Sequence, residues 1–336
     1  QIGHPRLACT CCEMVVQAKM PSRPIPKSFV GPALMAHILC CKYGYHLPLY
    51  RQSQMFENEG IDLRIAYGRV IGKCAKLLER VSDAIRDHVF EAQAIFIDDT
   101  TVKLLQKGNS KGKNKTKTAR LWAYVRDETA WARGVPPAVW YQFSTSRGAE
   151  HPNRHLATYE GFAHADADSG YNNAYRTGRV KEMACIAHVR RAFFDLYQST
   201  KLPVVGEAIL RIKKLYDVET QARVLPASER VALRQEYGKL IFDDLKVWLQ
   251  EQLGMISGKT PLAKAIDKHR AQPKGAPYLD HRFLKLDNNT AERAVRPVTL
   301  GHKNYLFMEL EAGGKSAAIA YTLIETAKMN KLNPEV

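Results

Sequence analysis

The sequence lacks any uninterrupted apolar run of about 18 residues, and no order of charged, apolar and small residues at its start resembles a secretory signal. We therefore expect no membrane span and a cytoplasmic location. Acidic residues are also scarce relative to basic ones: 34 Asp and Glu stand against 50 Lys and Arg, a formal net charge of +16. This excess predicts a polyanionic partner, such as nucleic acid.

Cysteine is too sparse and too scattered for a disulfide framework. There are seven cysteines, an odd number, which favours a reducing compartment. Cys9 and Cys12 have the C-x-x-C spacing of a zinc half-site, but a tetrahedral site needs two more ligands and no second pair stands nearby. Free thiols in a small knuckle are the alternative interpretation.

The first third of the sequence predicts a linker followed by helices. Residues 21–32 are rich in proline, which favours a stiff linker after a knuckle-like segment at residues 1–20. Residues 33–90 show three segments with helical apolar spacing, and the third exposes Arg64, Arg69 and Lys73. This pattern suits a DNA-binding helix-turn-helix, although ordinary trihelical packing with solvated basic residues explains it about as well.

From Ala94 the pattern changes to the alternation of strands. Segments 94–97, 121–125 and 138–143 predict an antiparallel meander, and strands at 161–166 and 181–185 follow. The loop between the first two strands is rich in lysine, which fits contacts with a phosphate backbone or a merely solvated loop; its DNA-binding candidates are Lys111, Lys113, Lys115 and Lys117. Nearly one hundred helical residues then precede a short helix with Glu292 and a closing helix at 313–330.

Three acidic residues lie where a predicted strand ends or a helix begins: Asp98, Asp166 and Glu292. If the two strands are neighbours and the helix packs across them, the three carboxylates meet and form a cage for Mg²⁺ or Mn²⁺. Two such ions suit an in-line displacement at phosphorus. The alternative is that each acid is an ordinary turn or cap residue.

Several motifs together resemble the transposases of the insertion-sequence-66 type, bacterial enzymes with a DDE active site. Besides the cysteine segment, the matching motifs are Arg23-Pro-Ile-Pro26, Leu47-Pro-Leu-Tyr-Arg-Gln-Ser53, Asp98-Asp-Thr100, Lys115-Thr-Lys-Thr-Ala-Arg-Leu-Trp-Ala-Tyr-Val-Arg-Asp127, Cys185-Ile-Ala-His-Val-Arg-Arg191, Asp287-Asn-Asn-Thr-Ala-Glu-Arg293 and Gly301-His-Lys-Asn-Tyr305.

The resemblance implies a ribonuclease-H-like α/β fold, in which helices flank a mixed sheet and an all-α insertion interrupts it. A zinc-binding knuckle and a helix-turn-helix-like region would precede this core. The implied divisions are 1–20 (knuckle), 21–32 (linker), 33–90 (helix-turn-helix-like), 91–196 (first part of the core), 197–285 (insertion) and 286–336 (end of the core).

By position, the resemblance makes Asp98, Asp166 and Glu292 the catalytic acids. The chain departs from the family after the second acid, where Asp168 stands as a rival ligand, and it lacks the family's upstream C-x-x-C. Cys185 and His188 match a Cys/His pair of related enzymes. We favour a buried thiol and a hydrogen-bonded imidazole over a metal site there, because two ligands are too few for zinc.

Basic residues near the predicted acids are candidates for DNA contacts: His188, Arg190, Arg191, Arg293 and Arg296. The competing interpretations are a solvated helix start for Arg190 and Arg191, and an i, i+4 ion pair between Glu292 and Arg296.

The predicted function is metal-dependent cutting and joining of DNA at the ends of a mobile element. The partners would be element-end and target DNA, a second copy of the chain in a synaptic complex, and accessory proteins of the element. A non-catalytic DNA-binding regulator or decayed transposase, and a ribonuclease-H-like structure-selective nuclease that cleaves without joining, are the alternatives.

Overall fold

A mixed sheet forms the centre of the molecule in the computed structural model, which describes residues 6–17, 23–26, 30–61, 67–106, 115–132, 134–165, 169–270 and 276–336. Its strands are β3 (Ala94–Gln106), β4 (Lys115–Arg126), β5 (Ala138–Ser144), β6 (Gly161–Ala165) and β7 (Val180–Ala184), in the order β5-β4-β3-β6-β7. The first three are antiparallel, as predicted, whereas β6 and β7 run parallel to β3. A short strand, β8 (Met308–Glu309), also pairs with the far end of β3 and was not predicted.

Alternation along β3 divides its side chains between two faces of the sheet. Phe96 and Leu104 belong to one buried cluster, whereas Ile95 and Ile97 belong to another. Burying each such side chain contributes about 1.5–3 kcal/mol. Trp122 and Trp140 are also buried, so they are core residues and not exposed platforms for bases.

Five helices cover the face that carries Phe96. They are α1 (Pro32–Leu39), which continues as a π-helical turn (Cys40–Gly44), α2 (Leu49–Asn58), α3 (Tyr67–Phe90), α12 (Asn289–Gly301) and α13 (Leu310–Met329). Proline at its first position helps to start α1, because the missing N–H would have no partner there. The three helices predicted within residues 33–90 are present and share this buried cluster with the sheet.

The outer edge of β5 is covered by α13. The backbone N–H groups of Val139 and Tyr141 donate to the hydroxyls of Thr326 (3.1 Å) and Thr322 (2.9 Å). Thr326 in turn donates to the carbonyl of Val139. Helix side chains therefore satisfy backbone groups that an edge strand would otherwise leave open.

The predicted helical run between β7 and Glu292 is present. It comprises α6 (Ile186–Thr200), α7 (Pro203–Ala222), α8 (Ala227–Leu233), α9 (Lys239–Gly254), α10 (Pro261–Arg270) and α11 (Pro277–Asp280). Ile212, Leu245 and Ile266 are buried in a cluster that also contains Phe162 of the sheet. These helices therefore pack on the sheet as well as on one another.

Four shorter elements also belong to the described fold. Helices α4 (Glu150–His155) and α5 (Asn172–Arg176) lie between strands. Near the start, β1 (Arg6–Ala8) and β2 (Val15–Gln17) form an antiparallel hairpin. Among the described residues, no helix has the length and apolarity that crossing a bilayer requires.

Candidate active site

Asp98 lies within β3 and not at its end, which corrects the prediction of a strand that stops at residue 97. The strand continues because β4 pairs with it throughout, with Asp98 opposite Ala123. By alternation Asp98 is on the same face as Phe96, which packs in one cluster with Ala291 of α12. The carboxylate of Asp98 therefore belongs to the face of the sheet that α12 covers.

Asp99 is on the opposite face and has a different environment. Its carboxylate accepts hydrogen bonds from Arg120 (2.8 Å) and Arg147 (3.1 Å), and its side chain is only 4% exposed. Two guanidinium groups thus occupy the oxygens of Asp99, which makes it a structural residue.

Helix α12 is anchored to the sheet at its first turn. The side-chain amide of Asn288 donates to the carbonyl of Ile97 at 2.8 Å, and the backbone N–H of Asn289 donates to Asp287 at 3.1 Å. The second bond makes Asp287 a turn residue at the start of α12. Glu292 lies four residues after Asn288, about 6 Å along the helix, so the amide fixes the start of the Glu292 helix beside Asp98.

Helix α6 begins next to α12 and brings His188 and Arg191 close to Glu292. The Glu292 carboxylate lies 3.6 Å from Nε2 of His188 and 3.8 Å from a guanidinium nitrogen of Arg191. Within the described residues, no ion pair joins Glu292 to Arg296, so the i, i+4 pair considered above is wrong. Both distances exceed that of a good hydrogen bond, so the carboxylate oxygens are not tightly held.

Cys185 connects these two helix starts. Its buried sulfur accepts a hydrogen bond from the backbone N–H of Asn288 at 3.3 Å, and the N–H of Ile186 donates to the carbonyl of Leu286 at 2.9 Å. The Cys185 and His188 side chains therefore have different roles: the thiol supports the start of α12, and the imidazole faces Glu292.

Two predicted acids, Asp166 and Asp168, lie outside the described residues. The strand before them is described, and its register pairs Phe96 of β3 with His164 of β6. In the sequence, Asp98 lies two residues after Phe96, and Asp166 lies two residues after His164.

Only some of the predicted DNA-binding residues lie in the part of the chain that the structure describes. Lys111, Lys113 and Arg64 lie outside the described residues, and so do the side chains of Lys115 and Arg69. The others in the described part of the chain are exposed, apart from the partly buried His188: Lys73, Lys117, Arg190, Arg191, Arg293 and Arg296.

The cysteine segment brings together three thiols and not two. The sulfurs of Cys9, Cys11 and Cys12 lie within 4.8 Å of one another on the turn between β1 and β2. Hydrogen bonds, first from the Cys11 thiol and then from backbone N–H groups, lower the pKa of Cys9 to about 6. A thiolate with two further sulfurs could supply three of the four ligands that zinc takes.

Sequence reasoning missed Cys11 as a third ligand and Asn288 as the anchor of α12. The C-x-C-C spacing was a usable signal for Cys11. No local signal reveals Asn288, because its partner Ile97 lies 191 residues away.

The fold and this site define a class: a mixed α/β protein whose acids lie on the central strand and on a helix packed against it. The IS66 transposase family model matches residues 27–316, and the chain belongs to that family.

Three curated relatives, all from Sinorhizobium fredii, are described only as uncharacterized proteins. They are y4hP at 35% identity, y4qI at 34% and y4jD at 33%, and each alignment covers 98% of this chain. The chain spans 62% of the length of y4hP and y4qI and 66% of y4jD.

Proposed function

We propose that this chain is the catalytic portion of a DDE transposase, which cuts and joins DNA at the ends of a mobile element. The observation that carries the proposal is the hydrogen bond from Asn288 to Ile97, which sets the helix of Glu292 against the strand of Asp98. Family membership supports the same function.

The third acid of the proposed site is Asp166. Asp98 and Asp166 each follow a paired position of two adjacent parallel strands, and the carboxyl ends of such strands commonly carry active-site residues. We include Asp168 as an alternative ligand, since it lies two residues further on. The strand order, three antiparallel strands followed by two parallel ones, supports a ribonuclease-H-like core.

The donor set fits Mg²⁺ or Mn²⁺, because carboxylate oxygens are the ligands that these hard cations take. Asp98, Asp166 and Glu292 would hold two ions, which when bound supply an activated nucleophile and stabilise the leaving oxygen. The loosely held carboxylate of Glu292 is available as a ligand, with His188 and Arg191 close enough to orient it.

The surrounding basic residues would bind the DNA backbone. Arg190, Arg293 and Arg296 are exposed close in sequence to His188 or Glu292, and Lys117 extends the basic character along β4 towards the lysine-rich loop. Residues 33–90 would contribute a helix-turn-helix-like contact. The three thiols near the start would form part of a zinc site in the complete protein, and a cytoplasmic synaptic complex would contain at least two copies with any accessory proteins of the element.

The test is a nicking and strand-transfer assay on element-end DNA with Mg²⁺. Asp98→Asn, Asp166→Asn and Glu292→Gln should each abolish cleavage, by at least about 1,000-fold, and leave DNA affinity nearly unchanged, because each removes a metal ligand without disturbing the basic surface. Asp195→Asn and Glu251→Gln make the same chemical changes at exposed helical positions and should retain activity.

Three outcomes separate this function from its alternatives. Full cleavage by any of the three variants removes that residue from the site. Cleavage by the unmodified chain without joining of pre-cut ends indicates a nuclease. Binding of element-end DNA without any Mg²⁺-dependent nicking indicates a regulator.

A further inference from the structure

A pocket of about 340 Å³ lies where the inserted helices meet the start of α12. Its volume is in the range of small-ligand sites. The residues that matter for its chemistry are Trp131, Arg223, Arg230, Arg234, Lys285 and Arg293. Three of the arginines come from the insertion, so the pocket joins the insertion to the helix of Glu292.

The pocket carries an excess of positive charge. Five cations line it against two anions, Glu219 and Asp287, which gives 5 − 2 = +3. Glu219 is fully engaged by Arg234, whose guanidinium donates to both of its oxygens at 2.9 and 2.7 Å. Asp287 is only 3.5 Å from the exposed Arg223. Two of the five cations, Arg230 and Arg293, are therefore left without a carboxylate partner among the described residues, since Asp127 pairs with Lys285.

Arg230 is the cation that this excess affects most. It is 7% exposed, and its guanidinium donates to the backbone carbonyls of Ala222 (3.3 Å) and Arg223 (3.5 Å). It makes no ion pair with a carboxylate among the described residues. Burial lowers the pKa of Arg230, and the charges of Arg234 and Arg223 lower it further against the opposing effect of Glu219. A buried cation without a counter-charge is costly, and an anion in the pocket would offset that cost.

Two further features favour a phosphate as that anion. Arg293 is exposed at the rim, where its guanidinium donates to the hydroxyl of Thr290 at 3.4 Å and has no other hydrogen-bond partner in the described part of the chain. Asn289 and Thr290, the first residues of the 13-residue helix α12, also line the pocket, and a helix start attracts anions.

One wall of the pocket is aromatic. Trp131 is partly exposed, and Lys285 Nζ lies 5.7 Å from the centre of its ring. Lys285 Nζ pairs with a carboxylate oxygen of Asp127 at 3.1 Å, and Asp127 does not line the pocket. An indole face beside cations is the combination that stacks an unpaired base and holds the phosphate next to it.

We propose that this pocket binds one unpaired nucleotide of the DNA substrate, with its phosphate among Arg223, Arg230 and Arg293 and its base against Trp131. This inference rests on the proposed function for the identity of the ligand. It adds a contact from the insertion that would hold a DNA end beside the helix of Glu292.

The first measurement is the affinity of the intact chain for a labelled oligothymidylate at several salt concentrations, by anisotropy and without divalent cations. Arg223→Gln and Arg293→Gln should each lower the affinity several-fold and reduce the slope of log K against log[salt] by up to about 0.7, the value for one whole phosphate contact on a single strand. Arg154→Gln removes one exposed charge on α4, outside the pocket, and should leave the slope unchanged. Because Arg230 is buried, the exposed arginines carry the test.

The second measurement is the quenching of tryptophan fluorescence by the same oligothymidylate. The unmodified chain should be quenched on binding, and Trp131→Phe should lose most of that quenching while its affinity falls only modestly, because a phenyl ring still stacks. The proposal would be overturned if Trp131→Phe were quenched as strongly as the unmodified chain. It would also be overturned if Arg223→Gln and Arg293→Gln had the same affinity and salt slope as the control Arg154→Gln.

Competition with inorganic pyrophosphate separates a nucleotide site from a general anion site. Displacement by pyrophosphate as effective as that by unlabelled oligothymidylate would overturn the nucleotide assignment. Asp98→Asn and Glu292→Gln should bind the oligomer normally. If the pocket variants lose binding while the unmodified chain does not nick DNA, only the proposed function fails; if the chain nicks and joins DNA but the variants bind normally, only this inference fails.

Discussion

Asp98 and Asp99 show how strand alternation gives adjacent identical residues opposite roles. Asp98 is on the face covered by α12, whereas Asp99 turns to Arg120 and Arg147 on the other face. A buried carboxylate with two guanidinium partners contributes to stability, because its removal leaves those donors without an acceptor. The pair therefore allows the proposed catalytic role of Asp98 and the stabilising role of Asp99 to be tested one position apart.

We expect Asp99→Asn to lower the free energy of unfolding by about 1–3 kcal/mol, since an amide cannot accept two charged donors as a carboxylate does. Nicking activity per folded molecule should persist below the unfolding transition. Urea denaturation and an activity assay at low temperature measure the two quantities. Stability equal to that of the unmodified chain would show that the Arg120 and Arg147 contacts contribute little, and complete loss of nicking would place Asp99 in the active site.

At the scale of single residues, the sequence singles out the acids as candidates but does not reveal what surrounds them. Asp98 and Glu292 stand out because an acid beside a buried strand or at a helix start is chemically conspicuous. Asn288 is a common turn residue by composition, and its bond to Ile97 depends on how two distant segments pack. The His188 contact with Glu292 similarly requires α6 and α12 to begin side by side.

Among the elements, α13 packs tightly against the sheet at one glycine. A Cβ atom at Gly314 would overlap the ring of Phe143 on β5, whereas a Cβ at the adjacent Gly313 would meet no atom within 4 Å. The two glycines thus differ in packing although they share one helix, and they form a matched pair.

Gly314→Ala should destabilise the protein by about 1–3 kcal/mol, because the helix must move away from Phe143. Gly313→Ala should instead stabilise it by about 0.5–1 kcal/mol, because alanine is the better helix former and the site is open. Urea denaturation of both variants at pH 7 tests the contrast. Equal and small effects would mean that α13 can shift at no cost.

The elements themselves were predictable where periodicity was strong. The spacing of apolar residues located α1 to α3 and the strands β3 to β7, but it ended β3 too early, because Asp98-Asp-Thr-Thr101 interrupts the apolar alternation. Pairing with β4 maintains the strand through those polar residues, and such pairing has no local signal. The two-residue β8 has none either, since it exists only by pairing with Leu104 and Leu105.

For the molecule as a whole, two buried histidines predict a loss of stability in acid. His155 and His164 are 6% and 0% exposed. Burial, followed by the nearby charge of Arg154 for His155 and of Lys285 for His164, lowers the pKa of each to about 3. Because the folded-state pKa is below the unfolded value of about 6.5, the unfolded chain binds more protons between these limits. Stability is therefore fully present above pH 6.5 and falls as the pH is lowered towards 3.

Between pH 7 and pH 5 each histidine should cost about 2 kcal/mol of folding free energy. His164→Leu should remove about half of this combined pH dependence, because it removes one of the two histidines. The substitution breaks no hydrogen bond of the ring, since neither ring nitrogen of His164 has a partner among the described residues. Urea denaturation at several pH values, compared between the unmodified chain and His164→Leu, measures the difference. The same pH slope in both would show that His164 takes up its proton equally easily in the folded state.

The cover that α13 places over β5 limits how two molecules can associate. Sheets commonly extend from one subunit into the next when a border strand has backbone groups to share, but Thr322 and Thr326 already occupy those of Val139 and Tyr141. A second copy therefore cannot prolong the sheet at this border. An association of two copies at this border must therefore use side-chain surfaces, and β5 is protected from templating aggregates.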